Sequence, residues 1–146
     1  MTATPTPPVF AIGDCNREAR MTHRWLWRAR VVRVIDGDTL DLEIDCGFHT
    51  LRTERVRLLG VNTPERKGAT RDAGSLAAEA AGDWLDRQNG WADYCWPLLV
   101  ETFKADAFGR YLARIWPADA SPDDTFADLS SHLLSTGHAV PYERSK

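Results

Sequence analysis

Three features of the sequence predict an α+β fold that is mainly β: a five-stranded Greek-key barrel of OB type. Five short apolar runs lie in a 3 + 2 order, each bounded by turn residues. An alanine-rich stretch with helical spacing separates the third run from the fourth, as a capping helix would. A second helical pattern follows the fifth run, where a C-terminal helix can pack on the barrel wall.

Taken in order, residues 1–24 read as an N-terminal tail, rich in Pro and Thr at its start and with a short helix possible after Asp14. The domain proper runs over 25–142, and 143–146 form a polar C-terminal tail. Trp25–Ile35 is the first strand, carried by β-branched Val31, Val32, Val34 and Ile35, and Asp36-Gly37 ends it in a turn. Thr39–Asp45 alternates, with Leu40, Leu42 and Ile44 on one face and Thr39, Asp41, Glu43 and Asp45 on the other. The three acids on that outer face read as a solvated surface. Arg52–Val61 is the third strand and completes an antiparallel meander.

Arg66–Gly74 reads as a polar loop flanking the strand ends, whose Lys67 and Arg71 are solvated in the favoured reading and contact a polyanion's backbone in the alternative. Ser75 suits the N-cap of a helix burying Leu76, Ala77, Ala80, Ala81, Trp84 and Leu85. Pro97–Thr102 and Tyr111–Trp116 are strands four and five, joined by a turn over 105–110. Thr125-x-x-Asp128 has the form of a capping box for a last helix, with Phe126, Leu129, Leu133 and Leu134 inward and Gly137 at C′.

Composition narrows the function classes. Net charge is −3, which argues against binding nucleic acid by bulk charge. Its distribution is uneven: residues 1–71 carry 12 basic and 9 acidic side chains, and residues 72–146 carry 6 and 12. Arginine outnumbers lysine 15 to 3, and guanidinium is the better bidentate partner for phosphate. Cys15, Cys46 and Cys95 have no metal-ligand spacing and read as free thiols. No apolar run approaches the ~20 residues of a membrane span. The N-terminal stretch lacks the basic and apolar regions of an export signal, which points to a cytoplasmic location.

The chemistry concentrates at two strand ends. Arg57-Leu58-Leu59-Gly60-Val61-Asn62-Thr63-Pro64-Glu65 is an apolar run with a cation at its head and polar residues at its tail. Asp36-Gly37-Asp38-Thr39 follows the first strand in the same manner. Together these ends offer oxygen ligands suited to a hard cation. Each residue also has an ordinary reading. Asp38 can cap its turn, Arg57 can pair with Glu65, and Arg110 can close a β-turn.

These two segments, with Asp106-Ala107-Phe108-Gly109-Arg110 after the helix and fourth strand, resemble the staphylococcal-nuclease-like (thermonuclease) family from about Trp25 to about Tyr142. The resemblance implies a calcium-dependent phosphodiesterase acting on DNA and RNA and leaving a 5′-hydroxyl and a 3′-phosphate. It implies Asp38 as carboxylate ligand of Ca²⁺, Thr63 as backbone-carbonyl ligand, and Asp36 as an acid just behind the metal. It further implies Glu65 acting on the attacking water and Arg57 and Arg110 clamping the phosphate. A single-stranded substrate, a monomeric state and no membrane association complete the expectation.

Two positions depart from the family pattern. Asn62 stands where aspartate is common, keeping an oxygen ligand but removing a charge, so weaker Ca²⁺ binding or a shift towards Mg²⁺ or Mn²⁺ is expected. Phe108 stands where a tyrosine is common, and Tyr142 is the candidate for a second substrate-binding aromatic. The competing reading is a catalytically weak or inactive OB-fold module that binds nucleic acid or protein.

Overall fold

The computed structural model describes residues 24–89, 96–105 and 107–143. Five strands close a barrel: β1 (Trp25–Asp36), β2 (Thr39–Asp45), β3 (Leu51–Leu58), β5 (Leu98–Ala105) and β6 (Tyr111–Pro117). β4 (Val61–Asn62) lies outside the barrel and pairs with β7 (Val140–Pro141). Helix α1 (Arg71–Asn89) stands between β4 and β5, and α2 (Leu129–Ser135) follows β6.

The barrel order is β1-β2-β3-β6-β5, with β5 returning to β1. All neighbours are antiparallel except β3 and β6, which run parallel with Val56 opposite Tyr111 and Leu58 opposite Ala113. This is the predicted five-stranded closed barrel with two helices. The alternation in β2 places Leu40, Leu42 and Ile44 in the core, joined by Val56, Leu58, Leu98, Val100, Ala113 and Ile115. Burying a side chain of this kind stabilises the fold by ~1.5–3 kcal/mol.

Two of the outer acids of β2 are paired across the sheet, and the third, Asp45, accepts from the Gly47 amide at 2.9 Å. Asp41 ion-pairs with Arg55 at 2.7 Å and Arg33 at 3.4 Å, and Glu43 pairs with Arg30. The Arg55 guanidinium beside Asp41 holds its carboxyl below the usual carboxylate range.

Several boundaries differ from expectation. The third strand stops at Leu58 instead of Val61, because Gly60 adopts a φ of 80° and turns the chain out of the barrel. The helix begins at Arg71, after a 3₁₀ turn at Gly68–Thr70, so the polar loop is shorter and Ser75 is inside the helix instead of capping it. The buried stripe of α1 runs through Gly74, Ala77, Ala78, Ala81, Trp84 and Leu85, and Leu76 points off it into solvent.

At α2 the N-cap is Asp128, whose carboxylate accepts from the Ser131 amide at 3.2 Å, and Thr125 has no capping role. Phe126 therefore precedes the helix and is 88% exposed, whereas Leu129 and Leu133 are buried. Leu134 also faces outward. Gly137, at φ 78°, ends the helix as predicted.

The expected tail over 1–24 lies outside the described residues except for Arg24, which precedes β1 and whose guanidinium pairs with buried Glu101 at 2.8 Å and with Asp123 at 2.8 Å. Cys15, Cys95 and Asp106 also lie outside the described residues, and Cys46 is a half-buried free thiol. No helix among the described residues is long and apolar enough to cross a membrane.

Candidate active site

Where β1 turns into β2, Gly37 brings the backbone against α1. A Cβ there would sit 2.9 Å from the Ala77 Cβ and 3.0 Å from the Thr63 Cγ2. That close approach brings Asp38, the residue after the glycine, against the segment that follows β3. The Asp38 carboxylate is buried and engaged through both oxygens. One oxygen accepts from the Thr39 hydroxyl at 3.0 Å, and the other accepts from the Thr63 amide at 3.1 Å and lies 3.5 Å from Arg57 Nη2.

Arg57 is the centre of the cluster. Its Nη2 donates to Asn62 Oδ1 at 2.8 Å, and its guanidinium carbon lies 5.1 Å from the centre of the Tyr142 ring. The β4–β7 pair makes this possible: Asn62 opposes Val140, and the Tyr142 amide donates to the Gly60 carbonyl at 2.9 Å. The C-terminal segment is thereby fastened beside the turn that redirects the chain out of β3. Arg57 pairs with Asp38 and Asn62, and not with Glu65 as an ordinary local ion pair would have it.

Glu65 is exposed, on a loop tied back by its carbonyl, which accepts from the Thr70 hydroxyl at 2.9 Å. Asp36 accepts from the Arg66 amide at 3.4 Å. On the opposite side, the turn between β5 and β6 carries Phe108 and Arg110, with the Arg110 guanidinium 5.3 Å from the Phe108 ring centre.

These pieces surround one cavity of about 470 Å³. All nine residues singled out from the sequence line it: Asp36, Asp38, Arg57, Asn62, Thr63, Glu65, Phe108, Arg110 and Tyr142. Lys67 and Arg71 do not. Thr39 and Leu112 line it too and were given no role from sequence; the Thr39 hydroxyl is a direct support of Asp38.

Gly74 was also missed. A Cβ on it would fall 2.3 Å from the Glu65 carbonyl oxygen, so α1 packs directly on the backbone of Glu65. Read as the end of a polar loop, Gly74 gave no such signal; only the helix start at Arg71 places it inside α1.

The donors in this cavity are oxygens, the class preferred by hard cations. Thr63 is 4% exposed, and its hydroxyl has no hydrogen-bond partner among the described residues, leaving an oxygen unsatisfied at the site. Among the described residues no group of three or more His, Cys, Asp or Glu gathers as a metal cluster. An ion here would depend on two aspartates supplemented by neutral oxygens.

Comparison with known proteins places this geometry in context. The chain is 33% identical over 89 residues to Protein ParB of Escherichia coli, covering 61% of this chain and 41% of that protein. It is 24% identical over 115 residues to an uncharacterized endonuclease of Escherichia coli O157:H7, covering 79% of this chain and 61% of the relative. The chain thus spans less than two thirds of the length of the curated relatives it matches. No protein-family model matches. The chain is a small five-stranded barrel with distant homology to an uncharacterized endonuclease.

Proposed function

We propose that this chain is a metal-dependent phosphodiesterase of the staphylococcal-nuclease-like kind, hydrolysing single-stranded DNA or RNA as a monomer. The observation that carries this reading is the convergence on one cavity of Asp38, Arg57, Glu65 and Arg110, drawn from separate parts of the chain. Distant homology to an uncharacterized endonuclease supports it.

Phosphodiesters resist attack because negative charge shields phosphorus, and the transition state carries more of it. Arg57, held by Asn62 and Asp38 and covered by Tyr142, presents a guanidinium already oriented before substrate arrives. Arg110 approaches the same cavity from the β5–β6 turn, so the two guanidinia grip the phosphate from two sides. Glu65 is solvent-facing and accepts a proton from, or orients, the attacking water. Phe108 and Tyr142 supply flat faces to the nucleotides flanking that phosphate.

Asp38, the Asn62 amide and the Thr63 carbonyl are the proposed ligands of Ca²⁺, with Asp36 behind them; Mg²⁺ or Mn²⁺ are the alternatives that a reduced ligand charge allows. When bound, such an ion neutralises phosphate charge and acidifies water.

One observation favours a second reading, a catalytically weak binding module: Asn62 removes a charge from a site that already has few carboxylates. One assay separates the two. Single-stranded DNA is incubated with the protein, with Ca²⁺ or with EDTA, and in parallel with Glu65→Gln. Cleavage that requires the metal and falls by ~10²-fold or more in the variant supports the nuclease. Metal-independent binding without cleavage, unchanged by the substitution, leaves the binding module.

A further inference from the structure

A second cavity, of about 390 Å³, opens at the end of the barrel where β1 and β3 begin and β2 and β5 finish. Its size falls in the range of small-ligand sites. Four aromatic side chains, Trp25, Trp27, Phe103 and Tyr111, line it. Trp25 and Trp27 are two apart on one strand and so project to the same face. Their rings stack with centroids 6.0 Å apart and planes 11° from parallel. Trp27 is anchored, its indole N–H donating to the Thr102 hydroxyl at 3.0 Å. Trp25 is 56% exposed and Tyr111 is 40% exposed. Aromatic surface left open to water in one patch is a mark of an interaction site.

The cavity adjoins the candidate active site through a shared wall. Arg110 and Leu112 line the first cavity and Tyr111 lines the second; Arg57 lines the first and Val56 the second. Consecutive strand residues point to opposite faces and their Cα atoms are ~3.8 Å apart. The two cavities are therefore separated by one strand layer, where β3 and β6 run parallel.

We propose that the second cavity is a base-stacking subsite, in which an unpaired nucleobase of a single strand whose cleaved phosphate lies between Arg57 and Arg110 stacks on Trp25 and Tyr111. The inference rests on the nuclease reading only for the position of that phosphate. Flat indole and phenol faces suit any base, so this subsite contributes affinity with little sequence preference. A duplex keeps its bases stacked inward and cannot fill it, which gives the protein a physical basis for choosing single strands. Arg52 and Glu54, ion-paired at the rim, provide a donor and an acceptor for a base edge.

The test is a titration of the full chain with an oligothymidylate of about ten residues in EDTA, a length within the usual single-strand site size, followed by tryptophan fluorescence. The expected result is quenching on binding. Trp25→Ala and Tyr111→Ala should each weaken affinity by about 5- to 150-fold, and Trp25→Phe, which keeps a flat ring, should recover most of it. Thermal melting checks that each variant is folded.

If Trp25→Ala and Tyr111→Ala, both folded, bind the oligomer as tightly as the unsubstituted protein, the subsite is overturned. If the unsubstituted protein cleaves single strands with metal while these variants bind normally, the nuclease reading survives and the subsite does not. If it never cleaves, yet quenching occurs and is lost in Trp25→Ala, the subsite stands and the nuclease reading falls.

Discussion

Arg57 Nη2 donates to Asn62 Oδ1 at 2.8 Å, closer than its 3.5 Å approach to the Asp38 carboxylate. The residue at which the sequence departs from the pattern it resembles is thus the nearest hydrogen-bond partner of the arginine proposed to grip phosphate. A neutral amide orients the guanidinium without neutralising it, so its charge stays available to substrate.

Asn62→Asp should change two quantities in opposite directions. An added carboxylate raises hard-cation affinity, lowering the Ca²⁺ concentration at half activity on the order of tenfold. The same carboxylate forms an ion pair with Arg57 and competes with phosphate, so KM for the oligonucleotide should rise. A metal titration of activity at saturating and sub-saturating substrate measures both, and an unchanged Ca²⁺ dependence would count against Asn62 as a ligand.

Arg57→Lys tests the fork geometry. Lysine keeps the charge but cannot hold Asn62 and a phosphate oxygen with one planar group. The expected loss is ~10²-fold or more in kcat, with Arg57→Ala no better. Retention of kcat within a few-fold in the lysine variant would make Arg57 a mere counter-charge.

Gly74→Ala runs against the usual helix rule. Inside a helix, alanine is worth up to ~1 kcal/mol over glycine. Here the new Cβ meets the backbone carbonyl oxygen of Glu65 at 2.3 Å, so the Glu65 loop must move. The variant should lose stability, and nuclease activity should fall beyond what its folded fraction explains. A melting curve and kcat on the same sample decide between a shift and a harmless accommodation.

Asp128→Ala removes the cap of α2 and leaves Arg114, 3.4 Å away, without its carboxylate. The cap alone is worth ~0.5–2 kcal/mol, and a melting temperature lower by several degrees is expected. Asp128→Asn, which keeps a capping oxygen, should recover part of the loss.

His132 links stability to pH. Burial, then the nearby Arg87 and His138 charges, push its pKa below the ordinary histidine value. The unfolded chain therefore takes up a proton near pH ~6.5, before the folded one does. Stability is fully present above that pH and declines as pH falls towards the folded value. Melting temperatures between pH 7.5 and 5 should fall less steeply in His132→Gln than in the unsubstituted protein.

The barrel strands were legible in the sequence because their signals are local. Period-two alternation in Thr39–Asp45 and the Asp-Gly turn before it each act within a few residues. The ends were less legible: Gly60 breaks β3 through its own backbone conformation, and α1 starts at Arg71 because the helix continues back through Gly74 onto the Glu65 carbonyl. That contact is long-range and leaves no local pattern beyond a glycine.

The sequence by itself determined which residues were candidates for the chemistry, since the resemblance carried by its strand-end motifs implies Asp38, Arg57, Asn62, Glu65 and Arg110. Only the tertiary structure decided their partners. Asp38 meets Thr63 across 25 positions, Tyr142 covers Arg57 through the β4–β7 pair, and Trp25 and Tyr111 meet at one barrel mouth because β5 pairs with both β1 and β6. Barrel closure brings together residues far apart in the chain, and the local preferences that shape strands and turns hold no record of it.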